Sequence, residues 1–452
     1  VRRANAFLSK IIESGSGVVN RIDGNWSNTK AAYRLLSNPR FKMEDIVKSI
    51  TNDSVCHASG LKHILCIQDT TEFCYDNNRG RFSEDDPHLG YGSNLKESFC
   101  IFAHPCLMLD AESLTPIGFS DINIYNHDNN NIGCKRTLRK CLLEEKESYR
   151  WARSAMRTSE LLPGEIRKTI IGDRENDAYC IMHKTLESNC DFLIRSYVNR
   201  KINADFEYIT NYADRLPVMG TYKLKVRSNK NRSARISEVE VRYSHISIHK
   251  PKGIKDDVPD TIDCYYVHAR EKSAPDGESP IEWRLLTSHK IDCLSDAAQC
   301  LNWYKSRWTV EELFRLCKSE GYRLESSQLG DGLSLKKMIA MTMYAALRCM
   351  TLKRAFDDCD EHIPAKRIFS EQEIDTLSIE MDRLHCQSPK SKGGNNPFRK
   401  ESLPWATWIL ARLGGWKGYV ASDRPGYITI KNGLDVFQEH FEIISFMLKN
   451  KT

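Results

Sequence analysis

The chain has 452 residues, too many for one ordinary hydrophobic core, and its 40% hydrophobic content with 8 Trp, 18 Tyr and 16 Phe excludes a disordered polymer. No apolar run reaches the roughly eighteen residues of a membrane helix, and Val1-Arg2-Arg3-Ala4-Asn5 lacks the layout of a secretory signal, so a cytoplasmic protein away from membranes is expected. A net charge of +6 gives only a weak pull toward polyanions, and the 16 cysteines are scattered without a C-x-x-C pair, as reduced and buried thiols would be.

Residues 1–58 read as short helices. Asn28 to Leu36 is rich in helix formers and stops at Asn38-Pro39, and a second helix starts near Met43. Up to Gly60 there are nine Lys/Arg against five Asp/Glu, which fits either a solvated helical cap or a nucleic-acid surface. Cys56, His57, His63 and Cys66 have a spacing that fits no common zinc module. From Leu61 the pattern changes to strands: Ile64 to Ile67, Phe99 to Leu109 and Ile117 to Ile124 form an expected antiparallel meander. A charged amphipathic helix is expected from about Lys135 to Leu162, ending at Pro163-Gly164. It is followed by a strand at Thr169 to Ile171, a helix from Asp177 to Ser188 and a strand at Phe192 to Arg195. Three strands, helix, strand, helix, strand is the layout of an RNase H-like α/β core. Residues 196–290 break the alternation with β-type runs and Lys/Gly/Asp/Pro-rich loops, as an inserted β-domain would; here eighteen Lys/Arg stand against thirteen Asp/Glu from Arg195 to Lys290. Helix resumes from about Leu294 to Glu320 and from Leu335 to Phe356. A polar linker is expected around Pro389 to Pro397, and a helical tail after Leu403.

Asp69 and Asp173 each follow an apolar strand and precede a polar turn, which would set both carboxylates at the carboxyl edge of the sheet, where α/β folds bind ligands. Taken singly, such an aspartate is more often a turn or helix-cap residue than a catalyst, and it is the pair on neighbouring strands that weakens that reading. From Trp303 to Lys318, a helix turning about 100° per residue brings Tyr304, Arg307, Glu311 and Lys318 within about 60° of one another. On geometry alone, a solvated face with an Arg307–Glu311 pair is the simpler account of that stripe. Combined with the two aspartates, however, Glu311 completes a set of hard oxygen donors for divalent cations, and two such ions activate a hydroxyl nucleophile and stabilise the leaving oxygen of a phosphodiester. Tyr304, Arg307 and Lys318 would then bind flanking phosphates.

The spacing Y-x2-R-x3-E-x6-K, met by Tyr304, Arg307, Glu311 and Lys318, resembles the signature of the insertion-sequence-four family of cut-and-paste transposases. Ile67-Gln68-Asp69-Thr70-Thr71 and Gly172-Asp173-Arg174-Glu175 are similar to its two aspartate motifs, and Glu145-Lys146-Glu147-Ser148 to the helix between them. Ala32-Tyr33-Arg34 with Asn38-Pro39 resembles its N-terminal DNA-binding helix, which points to Lys30 and Arg34 as DNA contacts. Ala411 to Gly415 resembles its dimerisation region. The resemblance implies five regions: an N-terminal helical DNA-binding domain (1–58), an RNase H-like catalytic core in two parts (59–195 and 291–345), the β-strand insertion between them (196–290), and a helical C-terminal dimerisation domain (346–452). It also implies that Asp69, Asp173 and Glu311 hold two Mg2+ or Mn2+ ions. They would nick double-stranded DNA at the inverted repeats of a bacterial insertion sequence, form and open a hairpin, and transfer the strand into target DNA, from a homodimer in a synaptic complex at the bacterial nucleoid. Trp283 holds the family position that accepts the flipped base, Trp308 is a second stacking candidate, and Arg195 matches an arginine near the phosphates. Family members carry residues before Arg2-Arg3; a chain shortened there would dimerise without binding ends and inhibit transposition.

Overall fold

The computed structural model describes residues 2–22, 25–75, 80–83, 85–92, 98–127, 141–226, 232–318, 320–387, 395–420 and 424–449. Four helices open the chain: α1 (Arg2–Ser14), α2 (Val19–Ile22), α3 (Trp26–Leu36) and α4 (Met43–Ala58). The Asn25 side chain caps α3 by accepting from the Ser27 N–H at 2.9 Å. Glu44 and Asp45 in the first turn of α4 complement its dipole. The buried face of α4 (Ile46, Ile50, Ser54, Ala58) lies on the sheet, where the Phe119 N–H donates to Ser54 Oγ at 2.9 Å.

Seven strands follow: β1 (His63–Gln68), β2 (Thr71–Cys74), β3 (Gly90–Tyr91), β4 (Phe99–Asp110), β5 (Pro116–Tyr125), β6 (Arg167–Gly172) and β7 (Asp191–Arg195). The long β4 pairs antiparallel with β1 through its second half (Gln68↔Cys106 to Ile64↔Asp110), with β2 through its first half, and with β5 on the other side. β1 and β6 are parallel, as are β6 and β7, giving the order β5-β4-β1-β6-β7. β1 is almost wholly buried, which explains why it reads as a continuous apolar run. Helices α5 (Tyr149–Leu161) and α6 (Tyr179–Glu187) make the crossovers between β5, β6 and β7. The helix expected from Lys135 starts only at Tyr149, after a 3-10 turn at Leu143–Glu145; residues 128–140 lie outside the described residues.

Beyond β7 come β8 (Lys201–Ile202), β9 (Glu207–Tyr208), α7 (Ile209–Arg215), β10 (Gly220–Val226), β11 (Arg235–His249), β12 (Thr261–Glu271) and β13 (Glu282–Thr287). The strands expected between 196 and 290 are present, but they are continuous with the first sheet. β13 pairs antiparallel with β7 (Leu285↔Arg195 to Thr287↔Leu193), so among the described residues all 13 strands belong to one sheet. Leu285, Leu286 and Thr287 are fully buried, and pairing with β7 satisfies their backbone there.

The chain then turns helical: α8 (Leu294–Lys305), α9 (Trp308–Cys317), α10 (Gly332–Asp358), α11 (Glu371–Gln387), α12 (Leu403–Leu413) and α13 (Tyr427–Lys449). The single helix expected from Leu294 to Glu320 is broken at Ser306-Arg307. There the N–H groups of Ser306 and Arg307 bond back three residues, to Trp303 and Tyr304, and the Ser306 hydroxyl donates to the Trp303 carbonyl at 2.6 Å. α10 is buried on nearly every side, and its Lys337 Nζ donates to the carbonyls of Leu36 (2.6 Å) and Asn38 (3.0 Å), tying it to the end of α3. Among the described residues no helix is long and apolar enough to cross a membrane. The expected polar linker falls mostly on residues 388–394, outside the described residues.

Candidate active site

The parallel register of β1 and β6 runs to Ile67↔Ile171, one residue short of each strand end. Asp69 and Asp173 therefore leave the carboxyl edge of the sheet side by side, at the same level. Each also does the capping expected of a lone aspartate. Asp69 Oδ1 accepts from the Thr70 N–H at 2.8 Å, and Asp173 Oδ1 accepts from the Glu175 N–H at 2.8 Å to start the 3-10 turn Arg174–Asn176. Gly172 makes the second turn possible: a Cβ there would stand 2.3 Å from Asn176 Nδ2. Capping uses one oxygen of each carboxylate, and at Asp69 the other faces the helices.

Arg307, at the start of α9, donates from Nη1 to Asp69 Oδ2 at 3.0 Å and from Nη2 to Glu311 Oε1 one turn further on. Burial pushes the Asp69 carboxyl up to about 6; Arg307 offsets part of that rise, while Asp173 and Glu311 add to it by repulsion. The three carboxylates thus share one electrostatic site, on two neighbouring strand ends and one helix. Their ligating atoms are not gathered within 4.8 Å; among the described residues the only such set of three is Glu72, Cys74 and Cys100. The Arg307 guanidinium stands between Asp69 and Glu311 as their counter-cation.

Around this centre Tyr304, buried on α8, has its hydroxyl raised by burial, with Arg307 and Arg195 pulling it down and Asp173 nearby. Arg195, at the end of β7, donates from Nη2 to the Glu282 carbonyl at 3.1 Å; burial and the neighbouring Arg174 and Arg307 lower it, whereas Tyr304 holds it up. The Trp283 ring meets Tyr304 edge-on at 5.5 Å. Asp69, Asp173, Glu311, Tyr304, Arg307, Arg195 and Trp283 therefore converge.

The even stripe expected from one continuous helix does not form. The break at Ser306-Arg307 leaves Tyr304 in the core, and Lys318 leaves helical geometry at ψ −153°, its Nζ 5.8 Å from the Phe73 ring centroid. Trp308 projects from α9, 53% exposed. Lys30 and Arg34 lie on the exposed side of α3, Lys30 over the Trp26 ring, in no described contact with the carboxylates.

Behind the site lies a network in which Arg150 and His104, not singled out from the sequence, tie together the motif residues Thr70, Glu147 and Glu175. Arg150 of α5 donates to Thr70 Oγ1 at 3.2 Å, to Glu175 Oε2 at 3.0 Å and to Glu147 Oε1 at 3.1 Å. The Thr70 hydroxyl also meets His104 Nδ1 at 2.8 Å, and burial holds that histidine well below its ordinary value, hence neutral. Asp177 is a second unforeseen anchor. It accepts from the N–H groups of Tyr197 (2.7 Å) and Val198 (2.8 Å) and from the Arg200 guanidinium (2.6 Å), fixing the loop after Arg195. The Glu147–Arg150 spacing of three residues was the available signal for the first network; the second joins residues too far apart in sequence to leave one.

Three carboxylates and several arginines thus share the carboxyl edge of a mixed α/β sheet. Residues 155–347 match the sequence family described as the transposase DDE domain, a span that takes in Asp173, Tyr304, Arg307, Glu311 and Lys318. The match supports a DDE transposase.

Proposed function

We propose that this chain is a transposase of the insertion-sequence-four family that cuts and joins DNA at the ends of an insertion sequence. The observation that carries the reading is the placement of Asp69 and Asp173 at one level on neighbouring parallel strands, with Glu311 joined to Asp69 through Arg307. The strand order β5-β4-β1-β6-β7, with its crossover helices, supports an RNase H-like core, and the continuous sheet from β7 into β13 supports an insertion built onto that core. The five regions expected from the sequence are retained as the domain scheme.

The donor set fits oxygen-preferring divalent ions: three carboxylates share one site, one of them holds its proton unusually well, and a guanidinium stands between two of them. Asp69, Asp173 and Glu311 would hold Mg2+ or Mn2+, which when bound would sharpen a hydroxyl nucleophile and stabilise the leaving oxygen. Arg307 neutralises Asp69 and Glu311 and is placed to bind a DNA phosphate. Arg195 and Tyr304 orient the neighbouring phosphates, and Lys318 is a further phosphate contact. Trp283, beside Tyr304, receives a base turned out during hairpin formation, and exposed Trp308 supports the same distorted end. α3, through Lys30 and Arg34, contacts end DNA, and the C-terminal helices pair two copies.

The test is cleavage of DNA carrying the terminal inverted repeats of the element in Mg2+ or Mn2+. The wild-type protein should nick, form a hairpin and join ends to target DNA, and Asp69→Ala, Asp173→Ala and Glu311→Ala should each bind ends without cutting. Cutting by all three variants would refute the assignment, and binding without cutting by the wild type would mark a regulator of transposition.

A further inference from the structure

On the sheet face next to the Asp69 turn, three side chains with metal-ligating atoms gather more tightly than any others among the described residues: Glu72, Cys74 and Cys100, all within 4.8 Å. Their placement follows from the strand register. Cys74 on β2 lies opposite Cys100 on β4. The Tyr75 N–H bonds the Phe99 carbonyl at 3.0 Å, so Tyr75 and Phe99 are the hydrogen-bonded pair and Cys74 and Cys100 the non-hydrogen-bonded one, where cross-strand side chains approach most closely. Their sulfurs are 3.1 Å apart. Glu72, two residues before Cys74, shares its face of the strand, and its carboxylate lies within reach of both sulfurs.

Two further features point to a ligand. A Cβ on Gly92 would stand 2.5 Å from Glu72 Oε1 and 2.9 Å from Cys100 Sγ, so the glycine keeps the front of the cluster open. A second carboxylate stands alongside, Glu325 Oε1, which accepts from the Cys74 N–H at 3.3 Å.

We propose that Glu72, Cys74 and Cys100 form a binding site for a thiophilic divalent cation, with Zn2+ as its natural occupant, separate from the carboxylate site at the sheet edge. Thiolates select zinc over magnesium, so the two sites would not compete for one ion. Binding releases the two thiol protons to solvent and leaves two thiolates and one carboxylate on the metal, with a fourth position for water or Glu325. Tetrahedral zinc with Zn–S bonds of about 2.3 Å holds its sulfurs about 3.8 Å apart. The pair therefore opens by well under an ångström, whereas a disulfide at about 2.05 Å requires closing by about 1 Å and an oxidant, and it leaves Glu72 without a role. Because β2 begins two residues after Asp69, the metal would clamp the strand that carries the Asp69 turn.

The test uses the reduced, chelator-stripped full chain titrated with Co2+ and then Zn2+. Wild type should develop a sulfur-to-cobalt charge-transfer band at one equivalent that zinc abolishes. Cys74→Ala and Cys100→Ala should each lose the band, and Asp173→Ala should keep it. The wild-type spectrum decides the matter even if Cys100→Ala fails to fold, because absence of the band there overturns the proposal. So does a band that survives both cysteine substitutions, or a protein whose intact mass shows a Cys74–Cys100 disulfide and which takes up no zinc after reduction.

Discussion

Asp69→Asn should stabilise the metal-free protein, and the size of the effect follows from the site. The Asp69 carboxyl is 19% exposed and titrates at about 6 in the fold, against an ordinary 3.8, chiefly because burial penalises its charged form. At about 1.4 kcal/mol per pH unit, that displacement makes the ionised side chain cost up to about 3 kcal/mol of folding free energy. Below about pH 4 the carboxyl is protonated in both folded and unfolded chains and contributes nothing. Between about pH 4 and 6 the unfolded chain ionises first, so stability falls as pH rises; above about 6 the full cost is present. Asparagine escapes it. Thermal unfolding followed from pH 4 to 8 in chelator should show wild type and variant together at the acid end, with the variant several degrees more stable at pH 8. Added Mg2+ should reverse the order, since only the intact site gains stability by binding. A variant less stable than wild type at pH 8 in chelator, or one stabilised by Mg2+ as much as wild type, would refute the reasoning.

Four other outcomes follow. Arg307→Ala should lower metal-free stability by about 1–3 kcal/mol by leaving Asp69 and Glu311 without their cation, raise the Asp69 pKa further, and lose cleavage; Arg307→Lys, which cannot span both carboxylates, should not restore it, as denaturation and cleavage assays would show. Trp308→Ala should leave stability within about 0.5 kcal/mol, since the ring is largely exposed, while reducing hairpin product relative to nicked product on a denaturing gel. Trp283→Ala should reduce hairpin product too, but at a stability cost of about 2–4 kcal/mol, because that ring packs on Tyr304 and the core. Asp177→Ala strands the buried Arg200 and releases the Tyr197-Val198 turn, and should cost about 3–5 kcal/mol in chemical denaturation, with weaker DNA affinity by gel shift.

Much of this site was legible because its key residues sit where local patterns end. Asp69 and Asp173 each close an apolar run, and burial on both faces of β1 and β6 is what makes those runs continuous. Glu311 and Arg307 were visible as a pair one helical turn apart, and the structure adds that the same guanidinium reaches Asp69, across 238 residues of sequence. Helical periodicity misled at Tyr304 and Lys318, because it carries no information about the break at Ser306-Arg307, which hydrogen bonds local to that turn create. For a related reason, strand composition after Arg195 does not reveal that β13 returns to pair with β7 and so joins the proposed insertion to the first sheet. The Cys74–Cys100 pair was illegible for the same cause, since it depends on the register of β2 against β4 and on the missing Cβ of Gly92.

The central claim, that Asp69, Asp173 and Glu311 form one metal-loaded phosphodiester site, is tested most directly by manganese anomalous scattering from crystals of the protein bound to end DNA. The account predicts manganese among these three carboxylates, with Arg307 withdrawn from Glu311 toward a DNA phosphate. Manganese bound elsewhere, with Arg307 still bridging Asp69 and Glu311 while the same crystals cut their DNA, would contradict it.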